Sequence, residues 1–385
     1  VRALVYGLAR SGRAVGERLA ENGDEAVYVD RTLGNEGDLA VLAGVDVIVK
    51  SPGVPGEAPL LVAARERGIP IWSEVEYAWR LLPAGTGFVG VTGTNGKTTT
   101  TELLGTIFRF AGWDVAVAGN VGTPLASVRR AEWVICELSS FQLEDIKTLA
   151  CDVAVLLNLE PDHLDRHGSF EAYRAAKLRI FERARVKIVP RGSGLPGIEF
   201  SADDPLPAEP RLRGAHNREN AAAATAAARA AGVEDAAIAE ALRAFPGVPH
   251  RLEPVGEDGG VRFVNDSKAT NVAAARRALA AYEDEPVHLI LGGSLKGESF
   301  APLAEAIGPN VASIHLIGEA APALAEALTG RDVQFDETLE RAVAHAAELA
   351  SSGAVVLLSP ACASYDQFEN FERRGDAFRE IVKRL

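Results

Sequence analysis

The clearest chemistry in this sequence lies at residues 93–98, Gly-Thr-Asn-Gly-Lys-Thr, where two glycines frame a turn that ends in a lysine and a hydroxyl. Small residues let successive backbone N–H groups face an anion. Lys97 supplies positive charge, and the Thr98 hydroxyl can meet a magnesium ion. Thr94, Asn95 and Thr99 complete the segment. The spacing from Gly93 to Gly96 is shorter than the usual phosphate-loop pattern counted from Gly90, but the physics is unchanged. Nucleotide binding is expected here.

Acids, imidazoles and one lysine form the next group. Glu137 closes the apolar run Trp133–Cys136, where a carboxylate beside a phosphate loop could hold Mg²⁺, an ion that prefers oxygen ligands; a strand-end glutamate in solvent fits the residues equally well. The stretch Asn158-Leu-Glu-Pro-Asp-His163-Leu-Asp165-Arg-His167 puts two histidines and three acids within ten residues, a density that favours function. Lys177 falls four residues after Tyr173 and four before Phe181, on the apolar stripe of a helix capped by Ser169. Its aliphatic stem could simply snorkel. Alternatively, a partly desolvated amine could react with CO₂ to give a carbamate, an anionic oxygen ligand. Spacing alone does not choose.

These residues need elements to hold them. Short Val/Ile/Leu runs alternate with helical patterns, the βαβ signature of parallel sheets. Pro83–Thr86 and Pro246–Pro249 punctuate the chain into blocks 1–83, 84–247 and 248–385. The first has strands at 3–6, 26–29 and 45–49. The second opens with a strand at 88–91, has a helix from Thr99, and ends in an Ala-rich helix after Asn220. The third has strands at 261–264, 287–291, 313–317 and 354–358 and a C-terminal helix. The expected fold class is α/β, with three domains, each a mainly parallel sheet with flanking helices. Ligands of open α/β sheets sit beyond the carboxyl ends of the strands. Residues 93–98, 137, 158–163, 265–270, 292–297 and 359–364 all fall there, and three such sheets facing one crevice would make one composite site.

Composition excludes other classes. The chain has 385 residues, 47% of them hydrophobic, with 40 basic and 53 acidic residues and a formal net charge of −13. Without a Lys/Arg-rich run, it suits neither nucleic acid nor an anionic membrane. No apolar stretch approaches the roughly 20 residues that span a bilayer, and no signal-peptide pattern opens the chain. Three cysteines without paired spacing imply no disulfide framework. A cytosolic protein is expected. The absence of methionine has no physical account.

GTNGKTTT, ELSSFQLE, DHLDRH, YRAAK, HNRENAAAA, PHR, NDSKATN, GGSLKG and SPACASYDQFENFERRG, in this order, closely resemble the Mur ligases of peptidoglycan synthesis over essentially the whole chain. NDSKATN and SPACASYDQFENFERRG point to the branch that adds D-glutamate to UDP-N-acetylmuramoyl-L-alanine; the DNPR-type segment of the diamino-acid-adding branch is absent. The resemblance implies Rossmann-like first and third domains around a P-loop ATPase-type centre, with ATP as cosubstrate and two Mg²⁺ ions. Lys97 and Thr98 would hold the β- and γ-phosphates and their Mg²⁺, with Glu137 a ligand. His163 and a carbamylated Lys177 would hold the second ion. Asn217 and Asn220 resemble adenine-side asparagines, Arg251 would reach the phosphates, and Asp266 the ribose. Lys268 and Thr270 would lie by the acceptor site, with Lys296, Ser364 and Phe371 gripping D-glutamate. In the first block, Gly7, Ala9, Arg10, Ser11, Asp30, Arg31 and Thr32 resemble the UDP pocket, with Ser51, Gly53 and Asn120 along the sugar and peptide. Ala9 stands where glycine is common, and the stretch from Lys177 to His216 is shorter than the family pattern. A monomer is expected.

The expected activity is therefore an ATP-dependent amide ligase working through an acyl phosphate. Three rivals rank below it. A nicotinamide-dependent dehydrogenase could be drawn from Gly7–Gly12 with Asp30, but Ala9 replaces the middle glycine and the phosphate loop would have no task. An ATP-hydrolysing scaffold and a folylpolyglutamate synthase are the others; the latter would not need the first block.

Overall fold

Runs of β-branched and leucine residues bounded by Gly, Pro or Asp become short strands, the central ones buried on both faces, as parallel strands covered by helices must be. The computed structural model describes residues 1–212, 214–295 and 297–385, so Lys296 lies outside the described residues. Among them are three sheets. The first has order β2-β1-β3-β4, all parallel: β1 (Arg2–Tyr6), β2 (Glu25–Val29), β3 (Val47–Lys50) and β4 (Ile71–Ser73). The second has order β10-β9-β8-β5-β7-β6, also parallel: β5 (Gly87–Thr92), β6 (Val115–Gly119), β7 (Trp133–Glu137), β8 (Val153–Leu156), β9 (Val186–Pro190) and β10 (Ile198–Phe200).

The third sheet has order β11-β12-β16-β13-β14-β15. It comprises β11 (Glu253–Asp258), β12 (Val261–Asn265), β13 (Val287–Gly292), β14 (Val311–Ile317), β15 (Val333–Glu337) and β16 (Val355–Leu358). Only the β11–β12 pair is antiparallel. This is the three-domain α/β class expected from the alternating pattern.

Two helix starts differ from expectation. The helix after β5 is Lys97–Phe110, two residues earlier than the periodicity suggested, because Gly96 at φ 81° turns the loop directly into it. The Ala-rich helix is Ala215–Ala230, so Asn217 and Asn220 lie within its first turns rather than ahead of it. Pattern reading follows apolar residues and passes over a polar first turn. The helix Phe170–Leu178 is capped by Ser169, whose side chain accepts from Ala172 N, and its Lys177 faces inward, 2% exposed.

The chain divides into two compact units, Val1–Phe245 and Pro246–Leu385. Within the first, one apolar cluster runs from Val5, Val15 and Val49 through Val75 and Ala78 to Phe88, Val134 and Leu156, so the first two sheets share a core. Polar contacts reinforce the joint. The buried Lys50 ammonium lies 2.6 Å from Asp145, and Arg166 donates to the carbonyls of Pro52 and Val54. Glu76 accepts from the backbone N–H groups of Lys147, Thr148 and Leu149.

Cys136, Cys151 and Cys362 are in no disulfide and are buried, 0%, 1% and 3% exposed. Among the described residues, no helix is long and apolar enough to cross a membrane.

Candidate active site

Strand β5 delivers its chain to the phosphate loop at the centre of the second sheet, where β8 and β7 flank it on either side and the connections reverse direction. Gly93 has φ 156°, and a Cβ there would meet Leu157 Cβ at 2.9 Å; at Gly96 it would meet the Asn220 amide oxygen at 2.2 Å. Glycine is therefore required at both places. Asn220, 6% exposed, thus lies directly on the loop, with Asn217 one turn earlier on the same helix face. Asn95 N–H donates to Asn158 Oδ1 at 2.8 Å, and the Asn95 amide donates to Glu160 at 2.8 Å. The Thr94 hydroxyl lies 2.9 Å from the Tyr173 hydroxyl.

Lys97 Nζ donates to the carbonyls of Gly93 and Thr94, both at 2.9 Å, which folds the cation over the loop at the amino end of its own helix. Thr98 donates its hydroxyl proton to Glu137 Oε2 at 2.8 Å, and the Asn120 amide donates to Glu137 Oε1 at 3.0 Å. Glu137 is 2% exposed, so it is not a strand-end residue in solvent. The all-oxygen pair of Thr98 and Glu137 beside a helix amino terminus fits a phosphate-bound Mg²⁺. Thr99 follows in the same turn, half-buried.

Lys177 approaches from the helix Phe170–Leu178 and donates to the Gly93 carbonyl at 2.7 Å. Burial, and then the neighbouring Lys97 charge, push its pKa down to about 7, while Asp162 and Glu137 pull the other way. Near neutrality a large share of this amine carries no proton, the form that reacts with CO₂. His163 has a left-handed backbone, φ 51°, and half its side chain is exposed. Its ring lies 5.0 Å from that of Phe141. His167 is bound elsewhere, 3.1 Å from Glu144 and 2.9 Å from the Ser140 hydroxyl.

A second pocket opens beyond the carboxyl ends of β1, β2 and β3. Its cavity of about 450 Å³ is lined by Gly7, Ala9, Arg10, Ser11, Asp30, Arg31, Ser51 and Gly53, together with Glu36, Val54 and Pro55, which sequence reasoning passed over. Thr32 lines an adjoining hollow with Asp30 and Tyr28. Asp30 accepts from Leu8 N–H at 2.6 Å and from Thr32 N–H and hydroxyl, and these bonds hold its pKa down at about 2. A Cβ at Gly12 would lie 1.8 Å from the Gly7 carbonyl, which fixes glycine where helix Arg10–Glu21 meets the loop. Asn120 does not line this cavity; its side chain is on Glu137.

The unit Pro246–Leu385 gathers its own set. Asp266, after β12, is buried and accepts from the Ser359 hydroxyl at 2.8 Å and from Leu252 N–H. Burial pushes its pKa up to about 7, against the pull of Ser359 and Arg251. Lys268 Nζ lies 3.7 Å above the Phe371 ring. Thr270 N–H donates to the Lys268 carbonyl. Ser364 is 2% exposed. Arg251 sits between His250 and Leu252, both with positive φ.

The residue missed here is Arg374. It is 1% exposed and donates to the carbonyls of Ser267, Cys362, Ala363 and Gly292 and to the Ser267 hydroxyl, tying three strand-end loops together. It stands three residues after Phe371 and four before Phe378, so helical periodicity could have found it.

Comparison with known proteins adds a family. The Mur ligase middle domain matches residues 91–193, and the Mur ligase glutamate ligase domain matches residues 250–362. The chain is 41% identical to UDP-N-acetylmuramoylalanine--D-glutamate ligase of Myxococcus xanthus over 449 aligned positions, covering 100% of this chain and 98% of that protein. It is 42% identical to the protein of the same name from Gloeobacter violaceus, covering 97% and 91%. Among solved structures, UDP-N-acetylmuramate-alanine ligase from Thermotoga maritima has the same fold, with TM-score 0.64, 19% identity and coverage of 100% and 99%. Escherichia coli FolC shares it over 80% of this chain and 92% of its own, with TM-score 0.60 and 21% identity.

Proposed function

This chain belongs to the Mur ligase family, and from that premise we propose that it adds D-glutamate to UDP-N-acetylmuramoyl-L-alanine at the expense of ATP. One observation carries the ATP half: the loop Gly93–Thr98 feeds a helix amino terminus and presents Lys97 and the Thr98–Glu137 pair together. The amino acid and the UDP substrate rest on likeness to ligases of that name across the whole chain. Residues 1–83 would take the UDP substrate, 84–247 ATP, and 248–385 the amino acid.

A carboxylate is a poor electrophile. Moving the γ-phosphoryl group onto the alanyl carboxylate gives an acyl phosphate with a good leaving group, which the amine of D-glutamate then attacks, releasing phosphate. Positioning and charge neutralisation dominate such a transfer. Lys97, the helix amino terminus and Arg251 would neutralise the phosphates, with Gly93, Thr94, Asn95, Gly96 and Thr99 shaping their cradle. Asn217 and Asn220 would lie on the adenine side, and Asp266 at the ribose. Thr98 and Glu137 suit a Mg²⁺ ion, which when bound would neutralise phosphate charge. Lys177, with an amine poised to lose its proton, suits carbamylation; with His163 it would supply ligands to a second Mg²⁺. Gly7, Ala9, Arg10, Ser11, Asp30, Arg31 and Thr32 would hold UDP, with Ser51, Gly53 and Asn120 further along that substrate. Lys268, Thr270, Ser364 and Phe371 would grip D-glutamate. A cytoplasmic monomer suits an ATP-consuming reaction on a nucleotide-linked substrate.

Phosphate release tests this reading. With ATP, Mg²⁺ and UDP-N-acetylmuramoyl-L-alanine, release should require D-glutamate and fail with L-glutamate, L-alanine or L-lysine. Lys97→Ala should be silent. Release with a different amino acid would keep a ligase and remove D-glutamate, whereas release needing neither substrate would point to an ATPase scaffold.

A further inference from the structure

Beneath the helix Leu339–Leu349, a row of side chains takes no part in the reaction above. His288 Nδ1 lies 2.7 Å from Ser313 Oγ, and that hydroxyl lies 2.8 Å from His315 Nε2. His315 Nδ1 is 2.7 Å from one oxygen of Asp336, and His345 Nδ1 is 3.0 Å from the other. Strand register builds the row: β13 and β14 pair His288 with Ser313, and alternation puts His315 on the same face as Ser313. Asp336 comes from β15, and His345 closes the group from the helix.

We propose that His315, Asp336 and His345 form a binding site for one transition-metal dication of the Zn²⁺ type. Two imidazoles and a carboxylate are the donors that suit Zn²⁺ or Co²⁺, whereas Mg²⁺ favours oxygen alone. One ligand atom from each residue lies within 4.8 Å of the other two, and among the described residues this is the one group of three such side chains that converges so closely. Bonds of about 2.0–2.1 Å set tetrahedral ligand atoms about 3.3 Å apart, so small side-chain shifts complete the geometry.

The surroundings also fit. Metal-bound imidazoles commonly hydrogen-bond through their other nitrogen, and for His315 that partner is Ser313, itself held by His288. A carboxylate only accepts, so without an ion both Nδ1 atoms carry the protons facing Asp336. Binding would move the His315 proton to Nε2, which then donates to Ser313; the Ser313 hydroxyl proton turns to His288 Nδ1, and the proton that nitrogen carried passes to His288 Nε2. His315 is fully buried, but His345 is 39% exposed and gives the ion a way in from solvent, from which a water would supply the fourth ligand.

Chelator-stripped full-length protein should be titrated with Co²⁺ in excess Mg²⁺ and ADP, which occupy the phosphate-loop site. We expect one Co²⁺ per chain, with the intense visible bands of four-coordinate cobalt, displaced by Zn²⁺. His345→Ala and His345→Gln should each weaken binding at least tenfold and leave ligase turnover unchanged, while Glu137→Ala should bind Co²⁺ like the parent. Equal affinity in parent and His345 variants would overturn the proposal. So would a parent that binds no Co²⁺, or a sulfur-to-cobalt charge-transfer band, which would put the ion on a cysteine.

Discussion

Lys177 shows how a single side chain can hold both function and instability. Its folded pKa of about 7 lies below the ordinary 10.5, so between those values the unfolded chain binds the extra proton and stability rises with pH. Below pH 7 the full cost of burying the ammonium applies. In CO₂-free buffer, Lys177→Met should therefore be more stable than the parent at pH 6 by roughly 1–3 kcal/mol, and the gap should shrink by pH 9. Urea unfolding at the two pH values checks this; a constant gap would mean that the proton is not the cause. Ligase turnover should be lost throughout. The inward position of Lys177 was legible from its spacing to Tyr173 and Phe181. The same rule separates two adjacent arginines that look alike in sequence. Arg374 shares a face with Phe371 and Phe378 and is buried, whereas Arg373 is exposed. What spacing could not supply was the partners of Arg374, since they are loop carbonyls and the Ser267 hydroxyl, brought together only by the sheet.

At the scale of elements, the six-residue helix Glu74–Trp79 was the least legible part of the fold. Its two glutamates suggest a solvent face, yet both are buried, 1% and 0% exposed. They satisfy backbone N–H groups of the second sheet's loops: Glu74 accepts from Ala126, and Glu76 from residues 147–149. Burial raises the Glu74 pKa to about 7, and one of its oxygens has no hydrogen-bond partner among the described residues. A raised carboxyl pKa means stability that is complete below pH 4.5 and lost as pH climbs through 7. Glu74→Gln keeps an acceptor without the charge. It should match the parent at pH 4.5 and exceed it at pH 8 by on the order of 1–3 kcal/mol. Thermal melts at both values would show this, and a less stable variant at pH 8 would count against it. By contrast, the phosphate loop was legible because its strand, glycines and helix are contiguous in the chain.

For the whole molecule, proline and glycine clusters marked three blocks, but composition could not reveal that the first two share one apolar core while the third has its own. Shared burial depends on which helix faces meet, and short-range pattern is blind to that. The thiols fall on both sides of the division, Cys136 and Cys151 in Val1–Phe245 and Cys362 in Pro246–Leu385. Burial holds the Cys136 and Cys151 thiols well above their ordinary pKa, in the unreactive protonated form. Pulsed alkylation across a denaturant series, read by mass spectrometry, should give Cys362 a midpoint different from that shared by Cys136 and Cys151. One common midpoint would show that the units open together. With no methionine and no other cysteine in its 385 residues, the chain presents an oxidant with almost no accessible sulfur while folded. Sulfur chemistry thus becomes a timer for each unit's opening, and peroxide damage should follow unfolding rather than precede it.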